Sequence, residues 1–527
     1  MRRRTFIAAS AATLAMPAVS RGADAKLLKF IPQSDLSVLD PIWTTAYVTR
    51  NHGYMVFDTL YGQTGQKGGY KATPQMIEGH TVESDGKVWK LTLRDGLVFH
   101  NGDEVLARDC VASVKRWGAR DAFGQALMAR TDELSAPDDK TIMFRLKAPF
   151  ALLPDALCHG ASNMCAIMPE HIASTDPFKA FTEVIGSGPY TFKASERVPG
   201  SLFVYEKFIK YKPRESGEAS FISGPKIVNF ERVEWHVQPD PATKAASMQA
   251  GEMDWWENPT ADLLPLLKRN GITVEVTDHT GTPYLLRPNM LYPPFDKPAV
   301  RRALMGAINQ RELMIAAMGD DASLWTVPMG FFPPTSPLAN DAGMTALTSK
   351  RDDAKVKKDL ETAGYNGEKV VFMVGTDQAI LKSLSDVIAD MLKRVGINLD
   401  YQNTDWGTVV QRRALTKPPA EGGWNLFCTG FSGLDWFTPA SHLPLRGNGK
   451  SAWFGWPDDP NMESLREDWF NAPDLAAQKK IGTEMQTLAF DQVPFYPLGS
   501  MLTPVGYQKY ITGVPEGFPI FWNVKRV

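Results

Sequence analysis

The sequence predicts a mixed α/β protein of at least two folding units, with a small antiparallel region set into the first. Three observations carry this. The chain has 527 residues, beyond the size at which one hydrophobic core keeps growing. Between about 60 and 180, the turn signals Asp85-Gly86, Asp95-Gly96 and Asn101-Gly102 separate strand-like stretches. Between 370 and 401 a strand, an amphipathic helix and a second strand follow one another, an order that implies a right-handed crossover and a parallel pair.

The elements follow in order. Leu27 to Pro32 is a short apolar run suited to a first strand, and Leu39-Asp40-Pro41 turns the chain into a segment holding Trp43, Thr44, Thr45 and Tyr47. Trp89, Leu91 and Leu93 alternate with Val88, Lys90, Thr92 and Arg94, the period of a half-buried strand. Asp296 is placed to cap a helix whose Val300, Ala303, Leu304, Ala307 and Ile308 recur at helical spacing. Val370 to Val374 reads as a buried strand, Ile380 to Val395 as a helix stopped by Gly396, and Ile397 to Tyr401 as the next strand.

Composition narrows the function. At 43% hydrophobic and 22% charged, the chain is neither disordered nor fibrous. A net charge of −2 gives no global attraction to nucleic acid or an anionic membrane. No apolar run reaches the ~18 residues of a spanning helix, and mean hydropathy is −0.23.

Residues 1–25 have the order of an export signal. Arg2, Arg3 and Arg4 precede a short apolar stretch from Phe6 to Met16, and Ala23-Asp24-Ala25 supplies a small-residue cleavage site. Arg3-Arg4-Thr5-Phe6-Ile7 resembles the twin-arginine pattern, whose substrates cross the membrane folded. Removing the segment takes away four arginines and one aspartate, leaving a mildly acidic mature chain. No cysteine lies in it to carry a lipid, so a freely diffusing periplasmic monomer is expected. The four cysteines are Cys110, Cys158, Cys165 and Cys428. Cys158 and Cys165 form either a bridge, which an oxidising compartment permits, or two small buried apolar side chains.

Catalytic and metal motifs are missing. The eight histidines are scattered with no His-x-x-x-His pair, so neither a metal ligand set nor a cofactor site is predicted. Gly430-Phe431-Ser432-Gly433 lacks the second glycine of a nucleophile elbow, and Gly186-Ser187-Gly188 lacks the remainder of a phosphate loop or dinucleotide fingerprint.

An ordered series of short blocks runs along the mature chain: Leu39-Asp40-Pro41, Phe57 to Tyr61, Ser84-Asp85-Gly86, Leu93 to Gly102, Gly186 to Tyr190, Gln249 to Asp254, and Asn289 to Glu312. In this it resembles the extracellular solute-binding proteins of ABC importers, the large family 5 that includes dipeptide-, oligopeptide- and nickel-binding members. The resemblance implies a two-lobed α/β fold of the periplasmic-binding-protein type, with an extra antiparallel subdomain in the first lobe. Lobe one would hold 26–279 and 492–527 with the subdomain near 60–180, and lobe two 280–491. The lobes would close on a peptide-like or cationic organic solute and present it to a membrane permease, with no chemical step. A metal-chelate or haem-type ligand is an alternative within the class. An exported carbohydrate-active enzyme is the alternative outside it.

The resemblance also proposes contacts. Peptide-holding relatives use a lobe-two aspartate for the α-ammonium, within a stretch like Gly-Trp-x-x-Asp-x-x-Asp-Pro. Strict register puts Leu434 at that position here, and a one-residue slip brings Asp435 to it. Phe431, Trp436 and Trp406 offer flat apolar faces near that loop, on which a cation or planar group can stack. Trp43, Thr44, Thr45 and Tyr47 lie on the segment that faces ligand in relatives. Arg287 is the expected partner for a ligand carboxylate.

Overall fold

Two sheets organise the protein in a computed structural model that describes residues 25–160 and 162–527. Residues 1–24 of the expected export segment lie outside the described residues.

The first sheet has seven strands, in the order Thr273–Glu275, Val505–Tyr507, Trp255–Trp256, Leu27–Ile31, Arg232–His236, Leu202–Lys207 and Tyr190–Phe192. Leu27–Ile31 is central and runs parallel to both neighbours, with Phe30 opposite Trp235 on one side and Trp255 on the other. The Phe30 ring packs at 5.5 Å from Trp235, 5.4 Å from Trp255 and 5.0 Å from Phe521. Such tilted and edge-on aromatic contacts anchor the core of lobe one. A separate antiparallel sheet of Ile77–Glu83, Val88–Leu93, Thr141–Leu146 and Thr131–Ser135 is set into this lobe. Trp89, Leu91 and Leu93 are its buried face. The tight turn after Glu83 places Ser84, Asp85 and Gly86 at positive φ, as a twisted hairpin requires.

The second sheet has six strands: Trp325–Thr326, Tyr496–Met501, Thr282–Pro288, Leu426–Gly430, Val370–Gly375 and Leu399–Thr404. Val370–Gly375 is buried at every position and parallel to both neighbours. The helix Ala379–Arg394 covers this region with Leu381, Leu384, Ile388 and Leu392, and Gly396 reverses the chain at φ 86°. The carboxyl ends of three parallel strands therefore meet at one edge, marked by Gly375, Thr404 and Gly430. Ligands of open α/β sheets bind outside this kind of edge. The helix expected to be capped by Asp296 instead runs Pro298–Met305, with Lys297 at the cap position. A proline with its φ already fixed suits the first turn.

The chain crosses between the sheets twice, between Glu275 and Thr282 and between Met501 and Val505. The return crossing expected near 492 falls later, because Tyr496–Met501 pairs with Thr282–Leu286 in the second sheet. The crossings touch. Gly281 lies at φ 73°, and a Cβ there would meet Ser500 Oγ at 2.7 Å and the Met501 carbonyl at 3.0 Å.

All four cysteines are free and buried, so Cys158 and Cys165 are not bridged. They take the apolar alternative, and the Cys158 thiol donates weakly to the Asp155 carbonyl at 3.4 Å.

Candidate functional site

The lobe-one wall of the seam is one face of the helix Tyr47–Val56. Tyr47, Arg50, Asn51 and Tyr54 recur at helical spacing and share that face. The loop entering the helix is pinned by buried Asp40. Its carboxylate accepts from the Ile42 and Trp43 backbone N–H groups at 2.9 and 3.1 Å and pairs with Arg116 at 2.7 Å.

The lobe-two wall is the turn that follows strand Leu426–Gly430. Gly433 begins the short helical turn Gly433–Trp436 and lies against the first crossing. Its N–H donates to the Gly281 carbonyl at 2.7 Å, and a Cβ at Gly433 would collide with the Thr280 carbonyl, so only glycine fits.

These walls meet at Asp435, which is 5% exposed. The Tyr47 hydroxyl donates to Asp435 Oδ2 at 2.7 Å and accepts from the Ser432 backbone N–H. Ser162 donates to Oδ1 from its N–H at 3.2 Å and its hydroxyl at 3.3 Å. Every donor is neutral, and among the described residues Asp435 has no ion pair. Apolar contacts back this polar centre. Tyr70 meets Phe437 edge-on at 5.0 Å, and Phe470 lies against Phe123 and Phe150 at 6.0 and 5.8 Å. Arg130 pairs with Glu467 across the seam and covers Phe470 at 4.5 Å. A small recess at the seam is lined by Tyr70, Phe221 and Glu516 of lobe one and by Thr280 and Leu434.

The electrostatics have two poles. Burial pushes the Tyr47 phenol well above its ordinary value and the Asp435 carboxylate adds to this, so Tyr47 stays a donor. Burial also raises the Asp121 carboxyl, with the negative field of Asp435 adding, although Asp121 accepts from the Phe123 and Gly124 N–H groups at 2.8 and 2.9 Å. Beside it, both ring nitrogens of His159 are buried without partners. On the other side of Tyr47 lies Arg50, 4% exposed, with its guanidinium 4.5 Å from the Tyr47 ring and 3.8 Å from the Phe518 ring.

Of the residues singled out in the sequence, the structure brings Tyr47 and Asp435 into direct contact, with Phe431 one residue from Ser432. Trp436 is fully buried and one face is taken by His442, stacked at 4.7 Å and 18°, so that face does not receive a ligand. Trp406 stands at the carboxyl edge of the sheet, over Gly375 and beside Arg413 at 5.7 Å, with its neighbours inside lobe two. Trp43 donates its indole N–H to the Phe178 carbonyl at 3.0 Å, Thr44 accepts from Ala46 N–H, and Thr45 is exposed.

Arg287 is a correction. It is fully buried and donates to four backbone carbonyls, of Phe454, Pro444, Pro494 and Trp453, at 2.5 to 3.2 Å. Burial brings it down to about 9, with nearby Arg301 adding to the shift. Four of its five donors hold loops of lobe two, and its full burial keeps the guanidinium away from a ligand. Arg50, Ser162, Asp121 and His159 were not legible as site residues. For Arg50 a signal existed, the polar i, i+3, i+4, i+7 series that starts at Tyr47.

Comparison with known proteins fits this geometry. The description "Bacterial extracellular solute-binding proteins, family 5 Middle" matches residues 71–453. The chain is 35% identical, over 98% of its length and 97% of the relative's, to a probable peptide ABC transporter periplasmic-binding protein of Sinorhizobium fredii. This chain belongs to the family 5 solute-binding proteins. Among solved structures, the family 5 chain is similar to the binding protein AgaA of A. tumefaciens R10 in complex with agropinic acid (TM-score 0.77, 20% identity, 95% of this chain and 99% of that one). It is equally similar to the dipeptide-binding protein of Pseudoalteromonas sp. SM9913 in complex with Met-Leu (TM-score 0.76, 19% identity, 95% and 100%). At such identity the likeness establishes the two-lobed fold. Membership makes this a binding protein and sets the glycoside-cleaving alternative aside. No helix among the described residues is long and apolar enough to cross a membrane.

Proposed function

We propose that this protein is the periplasmic receptor of an ABC importer and captures a peptide-like or cationic organic solute between its lobes for delivery to the permease. One observation carries the choice of cargo: Asp435 is buried at the seam with neutral donors only. A buried carboxylate without a counter-charge is costly, and a cation that enters with the ligand offsets that cost. An ionised carboxylate offers about four acceptor positions, and three are used here. That leaves one acceptor position for an ammonium group. Since both walls touch such a ligand only when closed, binding shifts the lobes toward the closed form by the ligand's differential affinity. The relative named as a peptide transporter component and the complex with Met-Leu support a cargo built from amino acids.

The test is mass spectrometry of what co-purifies with the chain lacking residues 1–25, released by denaturation, for the wild type and Asp435→Asn. A solute with a basic nitrogen, near one per chain in the wild type and lost from the variant, is expected. Cargo without a cationic group, retained equally by both, refutes the reading. A metal complex would move the assignment to the chelate-binding alternative.

A further inference from the structure

We propose that Asp278 couples closure of the lobes to uptake of a proton, so that acidification favours the closed form. The inference concerns the hinge, and it holds whichever solute is captured.

Asp278 lies on the first crossing, between Glu275 and Thr282. Its Oδ1 accepts from the Thr280 N–H at 2.9 Å and the Thr280 hydroxyl at 2.5 Å, both within its own turn. Other acids deep in the protein touch a cation: Asp40 pairs with Arg116 and Asp58 with Lys226 at 2.7 Å, and Asp254 with Arg526 at 2.8 Å. Among the described residues Asp278 has no such contact.

The side chain lines the small recess at the seam, together with Tyr70, Glu516 of the C-terminal loop and Leu434 of lobe two. Burial pushes the Asp278 carboxyl up. This outweighs the Thr280 hydrogen bonds, the Arg50 guanidinium of the helix Tyr47–Val56 and neighbouring His279, which all pull it down. Burial also raises the Tyr70 phenol, with Asp278 and Glu516 adding, so Tyr70 stays neutral. Lys67 and Arg214 stand farther out, along a groove that shares Glu516.

Burial raises three other carboxyl groups among the described residues, those of Asp121, Asp155 and Glu257. Asp121 caps the helix Ala122–Arg130, Asp155 lies in the helix Leu153–Cys158, and Glu257 is held by Gln33 and Asn51, all inside lobe one. Of these three only Asp121 feels a charge of lobe two, that of Asp435. Asp278 alone sits on a segment that joins the lobes.

Lobe two supplies the lid over it. Leu434 is 3% exposed, and Phe437 meets Tyr70 edge-on at 5.0 Å. Parting the lobes withdraws both side chains and admits water to the Asp278 carboxylate. Closing removes that water, which disfavours the ionised form, so the closed state holds the proton more tightly than the open one. A group whose pKa is higher in one state stabilises that state as pH falls. Ionised Asp278 therefore opposes closure, and protonation lifts the opposition.

Fluorescence transfer between one label on each lobe of the ligand-free mature protein tests this, so cargo does not enter the result. From about pH 7.5 to about pH 5 the closed-to-open ratio of the wild type should rise about threefold or more. Asp278→Asn keeps the acceptor for Thr280 but takes up no proton, and its ratio should stay nearly constant. Asp121→Asn should respond like the wild type. A wild-type ratio that is flat or falls on acidification, or a full response in Asp278→Asn, overturns the assignment. A response lost in Asp121→Asn and kept in Asp278→Asn overturns it too, by placing the proton away from the hinge. Should Asp278→Asn fail to fold, Leu434→Ala decides: it leaves Asp278 in water in both states and should flatten the response, and an unchanged response refutes the coupling.

Discussion

The Tyr47 hydroxyl makes two bonds that exist only when the lobes are closed, one to Asp435 and one from Ser432 N–H. Tyr47→Phe removes both and leaves the ring in place. A hydrogen bond to a charged group contributes about 1.5–3 kcal/mol, and a neutral one about 1 kcal/mol. Asp435 keeps Ser162, so its desolvation is only partly uncovered. A net loss of about 2 kcal/mol from the closed form is therefore expected, or roughly a 30-fold shift of the closed-to-open ratio toward open. Neither lobe's own core is touched, so thermal unfolding should move little. The assay is small-angle X-ray scattering of the ligand-free mature protein, with fluorescence transfer between one label on each lobe as a second readout. Tyr47→Phe should show a larger radius of gyration and lower transfer than the wild type. If both quantities match the wild type while Asp435→Asn does expand the protein, the tyrosine is not a latch. If neither variant expands, the polar centre does not hold the lobes together.

Three further expectations come from features away from that centre. Arg287→Met orphans four buried carbonyls and should cost about 3–5 kcal/mol of stability, read by urea unfolding, while ligand affinity of the folded fraction stays at the wild-type value; a change in affinity with little loss of stability would return Arg287 to the site. Burial brings His52 down to about 3, so the unfolded chain protonates near 6.5 before the folded one does. Its contribution is present above pH 6.5 and lost on acidification, so between pH 6.5 and 5 the wild type should lose about 2 kcal/mol more than His52→Gln; parallel losses would refute the assignment. Titration with a thiol reagent without reductant should find four reactive cysteines in the denatured mature protein and almost none in the native one. Two in the denatured protein would mean that the Cys158–Cys165 bridge forms after all.

The fold was legible wherever a local pattern and its tertiary role agreed. Val370 to Tyr401 shows strand, helix and strand in its apolar spacing, and the structure keeps that order because the helix has a sheet face to cover. Val88 to Leu93 shows its buried side by alternation. The return crossing was not legible, since Tyr496–Met501 owes its lobe to a partner more than 200 residues earlier, and no local signal reports that pairing. The site shows the same divide. Asp435 and Tyr47 stood out within loops that carry recognisable neighbours. Arg287 stood out as a cation near the cleft, and only the four carbonyls that fold around it mark it as a brace. Trp436 stood out as a flat face, but the ring that occupies it, His442, becomes its partner only through tertiary packing.

The aromatic core of lobe one has a consequence for how the protein is made. Phe30 near the start of the chain packs on Phe521, and the strand Val505–Tyr507 sits between Thr273–Glu275 and Trp255–Trp256. A nascent chain emerging from the ribosome can therefore close the second sheet once Met501 has emerged, but it holds the first sheet split until Val505 and Phe521 follow. The half that is translated first is completed last. During synthesis, Trp235 and Trp255 wait without the ring that will cover them, which makes this surface the natural point for a chaperone to hold, and makes any message truncated before Val505 yield a chain with one finished lobe and one that cannot be finished.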